Sequence, residues 1–315
     1  MKHLTKILLA LLAAVGGVLL ATTPAALSYS PVASNHASLQ DLLEDTNPEI
    51  IPGTEKRIVW AGAEQATEWS VVALHGFSAS RQETAPLAEM VAAKLGANLF
   101  ETRFSGHGLA NNALVGVTAE QWLDDVAAAL TVGELIGKKT VLIAVSNGAA
   151  LALSMLDHPR MQGVDSMILL SPNFGPADPK AMWITRPGGP LLLRLLAGET
   201  RRWDAHNDLQ ARYWTTSYPT RTLIEVIRVV DRAIEKVSTT AAPRVQVFFS
   251  PDDKVISVPA LQKTYAAIQS PQKEIIQVLK VGAPSAHIIA GDIISPDNTS
   301  SMADQISDFI LRQAP

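Results

Sequence analysis

Thr140-Val141-Leu142-Ile143-Ala144-Val145-Ser146-Asn147-Gly148 decides how this chain is read. The first six residues are apolar or β-branched, as a buried parallel strand requires. From Asn147 to Leu156 the chain is rich in Ala and Leu and reads as helix. So abrupt a change from strand to helix forces Ser146 into a strained backbone conformation. It also leaves no room for side chains two positions either side, a demand that Ala144 and Gly148 meet. A serine held this way lifts its hydroxyl above the sheet, where a base can reach it. Ala144 stands where glycine is usual in such a turn. Small-x-Ser-x-Gly also arises often by chance, so the rest of the chain has to carry the argument.

A catalytic triad built on this turn runs in the order Ser, then Asp or Glu, then His. Val245-Gln246-Val247-Phe248-Phe249 reads as a strand and is followed by Ser250-Pro251-Asp252-Asp253-Lys254-Val255-Ile256. An acid just past that strand lies on the same rim as Ser146. A helical stretch follows around Pro259 to Ile268, and then a strand from Glu274 to Val281. Next, in Gly282-Ala283-Pro284-Ser285-Ala286-His287, comes the only histidine C-terminal to both the serine and the acids.

Two further motifs complete a family pattern. Val71-Val72-Ala73-Leu74-His75-Gly76-Phe77 is a strand running into a His-Gly turn. Arg103-Phe104-Ser105-Gly106-His107-Gly108 is similar to a Pro-Gly-His-Gly loop, with Ser105 where proline is usual. With the serine turn, these make the chain resemble a capped α/β-hydrolase of the serine esterase or lipase type, from about Lys56 to Leu311. The resemblance implies a mainly parallel central sheet flanked by helices, with a cap or lid inserted over the site.

It also implies roles. Ser146 is the expected nucleophile and His287 the base that takes its proton. Asp253 is expected to orient the imidazole and stabilise its cation. The backbone N–H groups of Phe77 and Asn147 are the expected oxyanion hole. Asp252 competes with Asp253; the run Asp253-Lys254-Val255-Ile256 matches the family habit of following the acid with one variable residue and two aliphatics. His75 and His107 are expected to stabilise loops by donating to backbone. There is no His-x-x-x-His and no cysteine, so no metal site is expected, and the triad chemistry needs no cofactor.

The 315 residues are 47% apolar and 18% charged, enough for a large buried sheet. The formal charge is −4 and there is no basic stripe, which argues against a nucleic-acid partner. Met1 to Lys6 is a short basic head, Ile7 to Ala21 is an unbroken apolar run, and small residues follow to Ser28. That is the layout of a secretory signal peptide over residues 1–28, with cleavage after Ala25 or Ser28. An uncleaved inner-membrane anchor is the alternative. Removal of both head lysines leaves 24 basic and 30 acidic residues, a net charge of −6. The expected setting is the periplasm or the exterior of a bacterium.

Residues 29–54 read as an exposed tether, 55–173 and 221–315 as the two parts of the hydrolase core, and 174–220 as the cap. Within the core, early strands are expected at Arg57 to Ala61, Ser70 to Leu74, Asn98 to Arg103 and Ser166 to Leu170. Gln82 to Leu95 is the first major helix, and Thr118-Ala119-Glu120-Gln121 is a capping box opening another. The last helix is expected to start at Ser301. The cap holds Leu191-Leu192-Leu193-Arg194-Leu195-Leu196 together with Trp183, Trp203 and Trp214. These residues either line a pocket for a lipid-like group, with contact to a lipid or membrane surface, or glue the cap to the core.

The expected activity is hydrolysis of small or medium acyl esters, including monoacylglycerol-like ones. A thioesterase or acyltransferase would use the same triad, and a non-catalytic binding protein on the same fold is the rival from another class.

Overall fold

The computed structural model describes residues 22–30 and 38–312. The basic head and apolar run of the expected leader lie outside them. Among the described residues, no helix is long and apolar enough to cross a membrane.

The chain enters through a short helix, α1 (Leu39–Leu43), and a strand, β1 (Arg57–Val59). Strand and helix then alternate through β2 (Thr67–Leu74), α2 (Leu87–Leu95), β3 (Asn98–Glu101), α3 (Ala119–Ile136), β4 (Gly137–Val145), α4 (Asn147–Ser154) and β5 (Val164–Leu170). An excursion follows, with α5 (Gly189–Ala197), β6 (Thr200–Arg202), α6 (Asp208–Tyr213) and β7 (Ser217–Pro219). The chain returns through α7 (Thr222–Thr239), β8 (Arg244–Phe249), α8 (Val258–Ala267), β9 (Lys273–Gln277) and α9 (Pro296–Leu311).

Seven strands form one sheet in the order β1-β3-β2-β4-β5-β8-β9. β1 is antiparallel to β3 and every other neighbouring pair is parallel. Side chains alternate across it with the period of two that a strand imposes. Val141, Ile143 and Val145 of β4 face α2 and α9, whereas Leu142 and Ala144 face the layer of α3, α4 and α7. Both faces are therefore buried, which is why the strands read as continuous apolar runs.

Element boundaries move where proline or partner geometry intervenes. Arg81–Glu83 is a 3-10 turn and α2 starts only at Leu87, because Pro86 disfavours helical backbone in the residue before it. The last helix starts at Pro296, five residues earlier than Ser301; proline tolerates the first helical turn, where its missing N–H is not needed. β9 stops at Gln277 because β8, its partner, ends at Phe249. The capping box at Thr118 forms as expected, with Gln121 reciprocating.

Where described, residues 29–54 are more firmly held than an exposed tether. Leu39, Leu42 and Leu43 pack on the core. Arg103 pairs with Asp45, and the fully buried Thr54 donates its hydroxyl to Ile51 and Gly108 carbonyls. Polar spacers hid an amphipathic turn here. Just upstream, Leu27 is buried, while Arg228 and Arg232 of α7 donate to the carbonyls of Ala25 and Leu27.

Candidate active site

Every residue singled out for chemistry comes from a loop at the C-terminal rim of the parallel strands. Ser146 links β4 to α4 with φ 51° and ψ −114°, a conformation that costs a non-glycine residue about 1–3 kcal/mol. Its N–H donates to the Leu170 carbonyl of β5 at 2.8 Å, and its own carbonyl accepts from Asn173. The crowding expected around it is severe. A Cβ on Gly148 would stand 2.5 Å from the His75 carbonyl oxygen and 2.6 Å from that of Leu74, so only glycine lets α4 approach β2.

His287 lies in the loop between β9 and α9, its carbonyl accepting a 2.7 Å bond from the Ser171 hydroxyl at the end of β5. Ser146 Oγ is 2.9 Å from His287 Nε2, and His287 Nδ1 is 2.7 Å from Asp253 Oδ2. The Asp253 side chain is wholly buried. Its other oxygen accepts from the N–H groups of Val255 and Ile256 at 2.8 and 3.1 Å. That satisfied, acceptor-only carboxylate sets the imidazole as an Nδ1–H donor, leaving Nε2 to accept from the serine. Asp252 is exposed, and only its backbone is bound into the turn, donating to Ser250 Oγ. Lys254 N–H donates to the Ser285 carbonyl, tying the acid loop to the histidine loop.

Phe77 lines the cavity with Ser146, and Asn147 is the next residue along the chain from the serine. Gly76, which precedes Phe77, lies so close that an added Cβ would be 3.2 Å from Ser146 Cβ. Asn147 opens α4, so its N–H is one of those a helix leaves free at its start. Among the described residues, neither the Phe77 nor the Asn147 N–H donates to a protein acceptor.

The two loop histidines bond backbone. His75 Nδ1–H donates to Gly76 O at 2.9 Å while Nε2 accepts from Phe104 N–H at 3.2 Å. Burial holds the His75 pKa down at about 4, so the ring is neutral. His107 Nδ1 bonds Ser105 O, and burial pushes its pKa well below the ordinary value. Ser105 also explains its own departure from proline. Its N–H, which proline lacks, donates to the half-buried Asp125 carboxylate at 2.6 Å.

Ser146 and His287 open into a cavity of about 1020 Å³ whose far wall is the excursion between β5 and α7. Trp203, Trp214, Tyr218 and Ile184 face it from that side, Phe77, Val226 and Ile256 from the core. The leucine run neither lines that cavity nor lies buried against the core. On α5, Leu195 and Leu196 are 72% and 79% exposed, with Leu191, Leu192 and Trp183 also turned outward.

Among the cavity residues that sequence reasoning did not single out, one carries a buried carboxyl. Glu83, from the 3-10 turn after β2, lines the cavity beside Ser146; burial pushes its pKa up to about 7. No local pattern marks it, since its closeness to the site depends on where the turn docks.

Residues 65–280 match the family described as serine aminopeptidase, S33. The chain belongs to that family. It is thereby an α/β-hydrolase, and solved structures agree on the fold. A structure of the metagenome-derived lipolytic enzymes LipS and LipT superimposes with a TM-score of 0.67 at 18% identity, covering 83% of this chain and 98% of that one. The Paleococcus ferrophilus monoacylglycerol lipase gives 0.61 at 14%, covering 81% and 97%. A soluble variant of the Saccharomyces cerevisiae monoglyceride lipase, bound to a substrate analogue, gives 0.59 at 12%, covering 81% and 91%. No curated protein matches the sequence of this α/β-hydrolase.

Proposed function

We propose that this α/β-hydrolase cleaves carboxylic esters of small or medium acyl groups, monoacylglycerol-like esters among them, through an acyl-enzyme on Ser146. The observation that carries the reading is the unbroken run from Asp253 to His287 to Ser146 Oγ, opening into a largely apolar cavity. A serine hydroxyl is a weak nucleophile until a base takes its proton during attack. In this reading His287 Nε2 receives that proton as Oγ bonds the ester carbon, and the carbonyl π electrons move onto oxygen. Asp253 stabilises the imidazolium without taking its proton. The oxyanion accepts from Phe77 and Asn147 N–H; each such donor is worth about 2.7–4 kcal/mol in comparable sites. Collapse breaks the ester C–O bond, and His287 returns the proton to the departing alkoxide. Water then repeats the sequence on the acyl-enzyme, releasing acid and restoring Ser146.

The cavity is large enough for an acyl chain with a small alcohol, and Trp203, Trp214 and Ile184 offer the apolar contacts such a chain needs. The lipolytic names carried by the similar structures point the same way. The exposed leucines of α5 support contact of residues 174–220, read as a cap, with a lipid surface. Export of the chain rests on the leader pattern in residues 1–28.

The test combines fluorophosphonate labelling, read by intact mass, with turnover of p-nitrophenyl esters graded by chain length, acyl-CoA thioesters and aminoacyl p-nitroanilides. Labelling at Ser146 with ester turnover ahead of the other two classes is expected. Preference for acyl-CoA would move the reading to a thioesterase, and preference for anilides to a peptidase. A folded protein that takes no label would be a binding protein.

A further inference from the structure

The relay from Asp253 to Ser146 makes no use of the buried carboxyl of Glu83. Its residue is only 4% exposed, yet it lines the cavity beside Ser146 and His287. Glu83 Oε2 accepts the N–H of Gly76 at 2.6 Å. A Cβ on Gly76 would meet Glu83 Oε1 at 2.9 Å, Oε2 at 3.0 Å and Ser146 Cβ at 3.2 Å. Carboxyl, glycine and nucleophile are thus mutual neighbours, with no room for a side chain between them.

That crowding creates a difficulty for the oxyanion hole. Position 76 has to be glycine, and glycine is the residue with the most torsional freedom. The Phe77 N–H belongs to the next peptide, so any rotation about Gly76 swings it. A peptide is planar, so gripping its carbonyl also sets its N–H. The Gly76 carbonyl is held by His75 Nδ1 at 2.9 Å and by Ala79 N–H at 3.3 Å. On the other side of the glycine, its own N–H is held by Glu83.

We propose that Glu83 is a positioning residue for the oxyanion hole, clamping the Gly76 N–H so that the Phe77 N–H stays aimed at the substrate's carbonyl oxygen. The proposal rests on reading Ser146 as the nucleophile and Phe77 as an oxyanion donor. The essential property of Glu83 is then a hydrogen-bond acceptor at this distance. Glutamine keeps such an acceptor; alanine and methionine do not. Because the hole is used only once the carbonyl turns tetrahedral, losing the clamp affects kcat and leaves KM nearly alone.

The test compares wild type with Glu83→Gln, Glu83→Ala and Glu83→Met on p-nitrophenyl butyrate, together with the rate of fluorophosphonate labelling. An alkyl boronic acid, which adds to serine as a tetrahedral anion, is compared with the matching unreactive alkyl amide as an inhibitor. Glu83→Ala is expected to lower kcat about 10- to 100-fold with KM within about twofold, and to slow labelling by a similar factor. Boronate inhibition should weaken in parallel while amide binding holds. Glu83→Gln should recover kcat to within about threefold of wild type. Glu83→Met, close to glutamate in volume, gives the same reading if the alanine variant does not fold. Unchanged kcat and labelling in the folded alanine or methionine variant would overturn the role of Glu83 and leave the nucleophile standing. An equal loss in the glutamine variant would also overturn it, since charge and not acceptance would then matter. A wild-type protein that takes no label at Ser146 would overturn both readings.

Discussion

Asp253 reaches His287 with one carboxylate oxygen, 2.7 Å from Nδ1, and spends the other on the backbone N–H groups of Val255 and Ile256. The two residues belong to different loops, 34 positions apart. Neither oxygen can swing to another partner without breaking the turn, so the imidazole is held in one tautomer.

Separating the two neighbouring acids follows from that arrangement. Asp253→Asn should lower kcat by about 10⁴-fold in ester turnover, because the amide can present its NH₂ to the ring and favour the wrong tautomer. Asp252→Asn, on an exposed side chain, should stay within about twofold of wild type. Equal losses in the two variants would count against Asp253 as the acid.

Ser146 should show a trade between activity and stability. Its positive φ costs about 1–3 kcal/mol, of which glycine would give back about 0.5–1 through unfolded-chain entropy. Ser146→Gly is therefore expected to gain about 1 kcal/mol in urea unfolding while losing all fluorophosphonate labelling. A less stable Ser146→Gly protein would show that the turn is not strained.

Restoring the usual proline at position 105 should harm the protein. Ser105→Pro removes the N–H that Asp125 accepts, leaving the half-buried Asp125 carboxyl, whose pKa desolvation raises to about 6, without that partner. A loss of about 1–3 kcal/mol is expected, measured by chemical denaturation at pH 7. Replacement by alanine, which keeps the N–H, should cost far less.

Acid should unfold the protein partly through His75. The ring is neutral in the fold with its pKa lowered to about 4, against 6.5 when exposed, chiefly by burial. Between those values the unfolded chain takes up a proton that the folded one refuses, so stability falls as pH drops from 6.5 towards 4. The single-site contribution is about 3 kcal/mol. Protonating Nε2 would also break the bond it accepts from Phe104. Comparing urea midpoints of wild type and His75→Asn across that range isolates the term from the carboxylates. Parallel curves would exclude it.

Much of the fold could be read locally because its signals are local. A strand buried on both faces must be apolar throughout, so β4, β5 and β8 were plain in Thr140 to Val145, Ser166 to Leu170 and Val245 to Phe249. The Thr118 capping box marked α3 for the same reason: its bonds close within one turn. Chain order proposed Ser146, an acid just after β8 and His287, and the family resemblance favoured Asp253 over Asp252. The structure adds that Asp253 is buried and Asp252 exposed.

What only tertiary structure decided concerns groups whose partners are remote. Leu195 and Leu196 look like core residues in sequence, yet α5 turns them to solvent, because hydrophobicity says what prefers burial and not what finds cover. Leu39 and Leu42, set among polar residues, look exposed and instead pack on the core. Glu83 has an ordinary sequence setting, and its place beside Gly76 and Ser146 exists only because the turn after β2 folds back over the rim. Composition and periodicity determined the layers and the order of the chemical groups. Distances between groups from separate loops arise from packing, which no local stretch encodes.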